Sequence, residues 1–477
     1  MKPTRLKSFV LIIILIAATG AAMAYSAGDG KSWLSGLLAR PEAATPPVGS
    51  GPVTLNGHLV QDKVLQGSDG KVHLALTLHA DARFDLQSSE ARNVDMVIVL
   101  DRSGSMKGRK INDARQAVLH LLSGLTAKDR FALVTYSDRV QQISGLNYVS
   151  ADHGSQLKTL VSGILPGGGT NLGAGLQTGI NVMLAAHENG NARKLILISD
   201  GLANKGITDS TRLGQIAGVA VEKEFAISTV GVGNDFNEQL MTTIADRGAG
   251  NYYYLENPLA FAEVFQKEFL YSRATAATNV SVSFPLVNGI SIVEAAGYPI
   301  TVQKDRAVIY PGDLRAGQTR KLFLTLQVPT VETGNFEIGR ITACYRFNGR
   351  TMETDLDGSY KIACVTDQRE VQASIDKTAW TEKVVREDYN RLKQEVAADI
   401  KAGKKQKALG RINSYYREQE SINAAVGSTE VTQNLDRDLK ELQRRVEDTF
   451  EGSPAAVSRK QKSNSKALQY EGYKGRR

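Results

Sequence analysis

The chain has 477 residues, 42% of them hydrophobic and 23% charged, with 44 Gly, 12 Pro and 2 Cys. That length allows two to four domains, and that balance excludes a disordered, collagen-like or multi-span membrane chain. The net charge of +8 sits at the ends, +3 over residues 1–24 and +5 over 451–477, so the body is neutral and no nucleic-acid partner is expected.

Lys2, Arg5 and Lys7 precede an apolar run from Phe9 to Ala24 that closes on Ala22-Met23-Ala24. A basic start, an apolar middle and a small-x-small end are the parts of a secretory signal over residues 1–24. The alternative is an uncleaved segment that anchors the chain to a membrane, since the run has 16 residues. Either way the body is expected to be extracytoplasmic, periplasmic or secreted. Residues 25–50, with Pro41, Pro46 and Pro47, read as a linker.

Residues 52–90 hold short alternating runs, the clearest over Val72–Ala80, and predict strands. Over 93–271 apolar runs alternate with helical stretches: Met96–Asp101, Phe131–Ser137, Lys194–Asp200, Phe225–Gly233 and Tyr252–Glu256. Near-continuous apolar strands between amphipathic helices predict a doubly wound, mostly parallel sheet covered on both faces. Residues 275–370 return to period-two patterning and predict an antiparallel β-sandwich. The run 52–90 is too short to bury a core alone, so the α/β domain is expected to be inserted within that sandwich. Residues 378–450 predict amphipathic helices broken near Gly403, Gly410 and Gly427, packed on one another as a hairpin. The tail 451–477 shows no apolar period and is expected to be basic and disordered.

The two cysteines, Cys344 and Cys364, stand 20 residues apart in strand-like runs. An oxidising compartment favours a disulfide between neighbouring strands; two buried free thiols are the alternative.

The chemistry concentrates at strand ends. Met96–Asp101 runs into Asp101-Arg102-Ser103-Gly104-Ser105-Met106, and Lys194–Asp200 ends on a second acid. Ligands of open α/β sheets bind outside the carboxyl ends of the strands. Between the two acids, a glycine-rich loop (166–171) delivers the Thr170 hydroxyl. Taken alone, the first motif could be a helix cap and the second a flexible turn. Together, Asp101, Ser103, Ser105, Thr170 and Asp200 offer two carboxylates and three hydroxyls, all hard oxygen donors. That set suits Mg²⁺, with Mn²⁺ or Ca²⁺ as substitutes, and not zinc or copper. Two carboxylates balance the ion, and neutral hydroxyls leave it electrophilic enough to take a carboxylate from outside.

These three motifs, in this order, resemble the von Willebrand factor type A (VWA) domain and its metal-ion-dependent adhesion site. The resemblance covers about residues 93–270 and implies a Rossmann-like fold. It further implies a protein partner that donates a Glu or Asp oxygen to a metal on those five residues. The surrounding layout is similar to secreted bacterial members and to the inter-alpha-trypsin inhibitor heavy chains. Here, however, only about 40 residues stand where the heavy chains have a full β domain.

No G-x-S-x-G elbow and no H-E-x-x-H occurs, so a non-catalytic adhesion or binding protein is the reading taken forward. The alternatives are an assembly component that interacts through its C-terminal helices and, third, a metal-dependent hydrolase.

Overall fold

A computed structural model describes residues 51–83, 92–257 and 260–476. The expected signal segment and linker lie outside the described residues.

The described chain starts with three strands, β1 (Val53–Leu59), β2 (Lys63–Leu65) and β3 (Lys71–Ala80). It then enters a six-stranded sheet built from β4 (Val94–Asp101), β5 (Arg130–Tyr136), β6 (Val140–Tyr148), β7 (Ala192–Ser199), β8 (Ala226–Val232) and β9 (Ala249–Leu255). The strand order is β6-β5-β4-β7-β8-β9, all pairs parallel except the edge strand β6. Six helices cover it: α1 (Arg109–Gly124), α2 (Ala151–Ser162), α3 (Leu172–Ala185), α4 (Ser210–Glu222), α5 (Glu238–Arg247) and α6 (Phe261–Arg273). β4 shows why the sequence folds this way. Met96, Ile98 and Leu100 pack into the core under α1 and α6, while Val97 and Val99 pack into the core under α3, α4 and α5. Every residue of β4 is buried, which only a central strand with helices on both faces requires.

Ten further strands follow, β10 (Thr275–Pro285), β11 (Ser291–Ala295), β12 (Ile300–Gln303), β13 (Arg306–Ile309), β14 (Leu314–Arg315), β15 (Thr319–Gln327), β16 (Gly334–Ile338), β17 (Thr342–Phe347), β18 (Arg350–Asp355) and β19 (Tyr360–Val365). β3 pairs with β1 on one side and with β15 on the other, Leu74 opposite Leu324. The N-terminal strands and the later ones thus share a sheet, with the α/β domain between them in sequence. These strands divide among three sheets around one core, and β19 with β2 forms a parallel pair.

That division corrects the expected disulfide. Cys344 on β17 lies opposite Glu353 of β18, whereas Cys364 on β19 lies opposite Gly334 and Val64 in another sheet. Both are free thiols. Spacing alone does not say which sheet a strand joins.

The C-terminal region is helical: α7 (Tyr389–Lys401), α8 (Lys405–Val426), α9 (Leu439–Thr449) and α10 (Pro454–Arg476). Gly403 and Gly427 fall outside helices at positive φ, 71° and 70°, as helix terminators do. Gly410 instead lies within α8 and breaks nothing. The expected disorder of 451–477 is also corrected, because α10 is docked. Leu468 and Tyr473 are buried, and a Cβ at Gly472 would collide with the Asn390 carbonyl of α7. Its cations are held by acids elsewhere: Lys466 bonds Glu238 at 2.8 Å and Lys462 bonds Asp235 at 2.8 Å. Tertiary contact supplies the ordering that local pattern does not. Among the described residues no helix is long and apolar enough to cross a membrane.

Candidate metal centre at the carboxyl edge

β4 and β7 are adjacent and parallel, so Asp101, the last residue of β4, and Asp200, the residue after β7, reach the same edge. The loop after β4 is clasped to the glycine-rich loop by two backbone bonds, Gly104 N–H to the Gly168 carbonyl (2.9 Å) and Gly167 N–H to the Arg102 carbonyl (2.7 Å). Gly168 sits at φ +83°, with the Asp138 carboxylate packed against its Cα where a side chain would clash. Asn171 then caps α3, accepting the Ala174 N–H at 3.2 Å.

All five sequence-predicted residues meet here. Asp101 Oδ1 accepts the Ser103 N–H at 2.7 Å. Ser103 Oγ and Ser105 Oγ are 3.0 Å apart, and Ser105 donates to Asp200 Oδ1 at 2.7 Å. Thr170 is held through its backbone, its N–H donating to Asn204 Oδ1 at 2.9 Å and its carbonyl accepting the Asn204 N–H at 3.1 Å. Asp101, Ser103, Thr170 and Asp200 are buried; Ser105 is exposed and marks the side open to solvent.

Three contributors were not legible as site residues. Ser199 donates to Asp101 Oδ2 at 2.9 Å. Asn204 fixes Thr170. Lys110, in the first turn of α1, bonds Asp200 Oδ2 at 2.5 Å. Their only signal is adjacency: Ser199 precedes Asp200, and Lys110 follows the serine loop by one helical turn. Asp138 and Asp235, on neighbouring loops, are paired with Lys205 and Lys462. Asn234 accepts the Tyr254 hydroxyl at 2.7 Å.

The electrostatics fit a cation. Burial, and then the nearby charge of Asp200, push the Asp101 carboxyl up to about 6 despite its bonds to Ser103 and Ser199. Two buried carboxylates, with a single ammonium, that of Lys110 on Asp200, are short of one positive charge. No group of three or more His, Cys, Asp or Glu residues suited to a metal occurs among the described residues, so any metal here depends on the hydroxyls.

An open sheet with a serine loop at its carboxyl edge defines the class of the domain. Residues 95–267 match the sequence profile of the von Willebrand factor type A domain, and the chain carries such a domain. An uncharacterized protein of Synechocystis sp. is 25% identical over 262 residues, 53% of this chain and 61% of that one. Human inter-alpha-trypsin inhibitor heavy chain H1 is 28% identical over 179 residues, 36% of this chain and 20% of its own length. The chain thus spans about three fifths of the first relative and a fifth of the second. The solved structure of a von Willebrand factor type A protein from Catenulispora acidiphila superposes with a TM-score of 0.66 at 18% identity, covering 89% of this chain and 97% of that one. The extra sheets and the C-terminal helices therefore recur together with the A domain in that structure.

Proposed function

We propose that the chain is a non-catalytic, extracytoplasmic binding protein that grips a protein partner through a divalent ion at the carboxyl edge. The observation that carries this reading is the gathering of Asp101, Ser103, Ser105 and Asp200 by hydrogen bonds, with the Thr170 and Ser105 hydroxyls both against Gly201 and Ser105 exposed to solvent. Asp101 and Asp200 would supply the charge, and the three hydroxyls the remaining protein oxygens. Mg²⁺ suits that donor set, with Mn²⁺ or Ca²⁺ as substitutes. Bound there, the ion would accept a Glu or Asp oxygen from the partner. Domains of this family and their relatives are generally interaction modules, which supports a non-catalytic role. The extracytoplasmic location rests on the basic start and apolar run over residues 1–24.

The test is calorimetric titration of Mg²⁺ and Mn²⁺ into chelator-stripped chain, beside Asp101→Ala. One-site binding that vanishes in the variant is the expected result. Partner capture that persists in EDTA would sink the metal-dependent mode.

A further inference from the structure

A cavity of about 270 Å³ opens at the other edge of the same sheet, where the α/β domain, the segment from Pro311 to Arg320 around β14 and α10 meet. Its cations are placed in an unusual way. The Lys267 ammonium lies over the rings of Tyr253 and Tyr271, 5.7 and 5.5 Å from their centroids. The Arg315 guanidinium stacks 3.7 Å from the centroid of Tyr271, with Nε reaching Gln318 Oε1 at 3.4 Å. Lys474 stands exposed on the α10 wall. Among the described residues, none of these three is in an ion pair.

The contrast is with Lys194, which lines the same cavity and lies 3.4 Å from buried Glu268. That carboxylate is fully engaged, accepting from Ser228, Asn251 and Tyr253. Asp313, the other acid facing this region, accepts the Asn279 N–H at 3.1 Å and faces Arg92. The acids are thus committed, as are Lys194 and Arg320, the latter donating to the Gly312 carbonyl at 3.1 Å, while Lys267, Arg315 and Lys474 face no carboxylate among the described residues.

Cation–π contact fixes where Lys267 and Arg315 sit but consumes none of their N–H donors. Held half-buried and pre-placed, such donors favour an oxyanion, because charge-assisted bonds to phosphate or sulfate are the strong ones. Tyr252 also lines the cavity and is only 2% exposed, and its hydroxyl has no hydrogen-bond partner among the described residues.

We propose that this cavity is a binding site for a phosphate or sulfate group, held by Lys267 and Arg315 with Lys474 at the rim. The site shares no residue with the metal centre: Lys194 lies near the amino end of β7 and Ala249–Tyr253 along the edge strand β9, whereas Asp101 and Asp200 lie at the carboxyl ends of β4 and β7.

Inorganic phosphate, sulfate and phenyl phosphate titrated calorimetrically into the full chain, with EDTA present, test it. Saturable one-site binding is expected for each, weakened about tenfold or more in Lys267→Ala/Arg315→Ala with an unchanged circular dichroism spectrum. Equal affinity for phosphate and phenyl phosphate assigns the site to the free anion; tighter phenyl phosphate assigns it to an ester whose ring meets the tyrosines. If the double variant unfolds, Lys267→Gln alone carries the comparison, with a loss of about threefold or more expected. No saturation by about 10 mM ligand, or unchanged affinity in a folded variant, overturns the proposal.

Discussion

The two edges of the central sheet are built on opposite principles. At the carboxyl edge, two buried carboxylates face one ammonium, and the polar groups of the site come from the ends of β4 and β7, the loops that follow them, the glycine-rich loop and the first turn of α1. At the amino edge, cations on tyrosine faces line a cavity assembled from the α/β domain, the strands beyond it and the last helix. One edge lacks positive charge and the other lacks negative charge. A single fold thus offers a cation site and an anion site with no residue in common.

The sharpest way to break this comparison is Asp101→Ala. Mg²⁺ affinity is expected to fall by about a hundredfold or more, because half the charge of the donor set is removed, while phosphate affinity stays unchanged. Calorimetry with both ligands on one preparation reads both edges. A variant that weakened the two together would show that the edges are coupled.

Next in size is Lys466→Met. Its ammonium is buried, bonding the Phe236 carbonyl and Glu238 at 2.8 Å each, and Glu238 keeps Lys401 at 2.6 Å when it is gone. Urea unfolding is expected to show a loss of about 1–3 kcal/mol, the cost of a buried charged group losing one of its partners. Because α10 also supplies Tyr470, Tyr473 and Lys474 to the cavity, phosphate binding should weaken while Mg²⁺ binding holds.

The smallest effect is expected from Lys110→Met. The ammonium on Asp200 Oδ2 stands in for part of the charge a divalent ion would bring, so its removal should tighten Mg²⁺ binding by about threefold to tenfold. Weaker binding in this variant would mean that Lys110 orients the carboxylate rather than competing for it.

The contrast also explains what could be read in the sequence. The carboxyl edge was legible because parallel strands translate short motifs into spatial neighbours: Asp101 and Asp200 are 99 positions apart yet end adjacent strands. Lys267, Arg315 and Lys474 belong to no motif, and only tertiary packing gathers them. The helices show a subtler loss of pattern. Apolar residues at Val385, Tyr389, Leu392, Val396 and Ile400 predict one buried stripe; Leu392, Val396 and Ile400 are buried, but a π-turn over Lys383–Asp388 shifts the stripe before them, so that Val384 is buried in place of Val385. For the tail, few apolar residues hid a helix whose docking rests on Gly472, Tyr473 and Lys466. Which strand joined which of three sheets was likewise beyond period-two patterning, and the cysteine pairing failed for that reason.

The register of β3 against β15 has a consequence for how the chain assembles. Pairing Leu74 with Leu324 closes a ring of 250 positions. From an unfolded chain, that closure costs about 5 kcal/mol of entropy before any contact in the sheet offsets it. A folded α/β domain draws the two ends together in advance and removes most of the cost. During synthesis, β3 must wait, unpaired on one side, until the whole inserted domain and β15 have left the ribosome, so a strand made before the α/β domain is sheltered only after it.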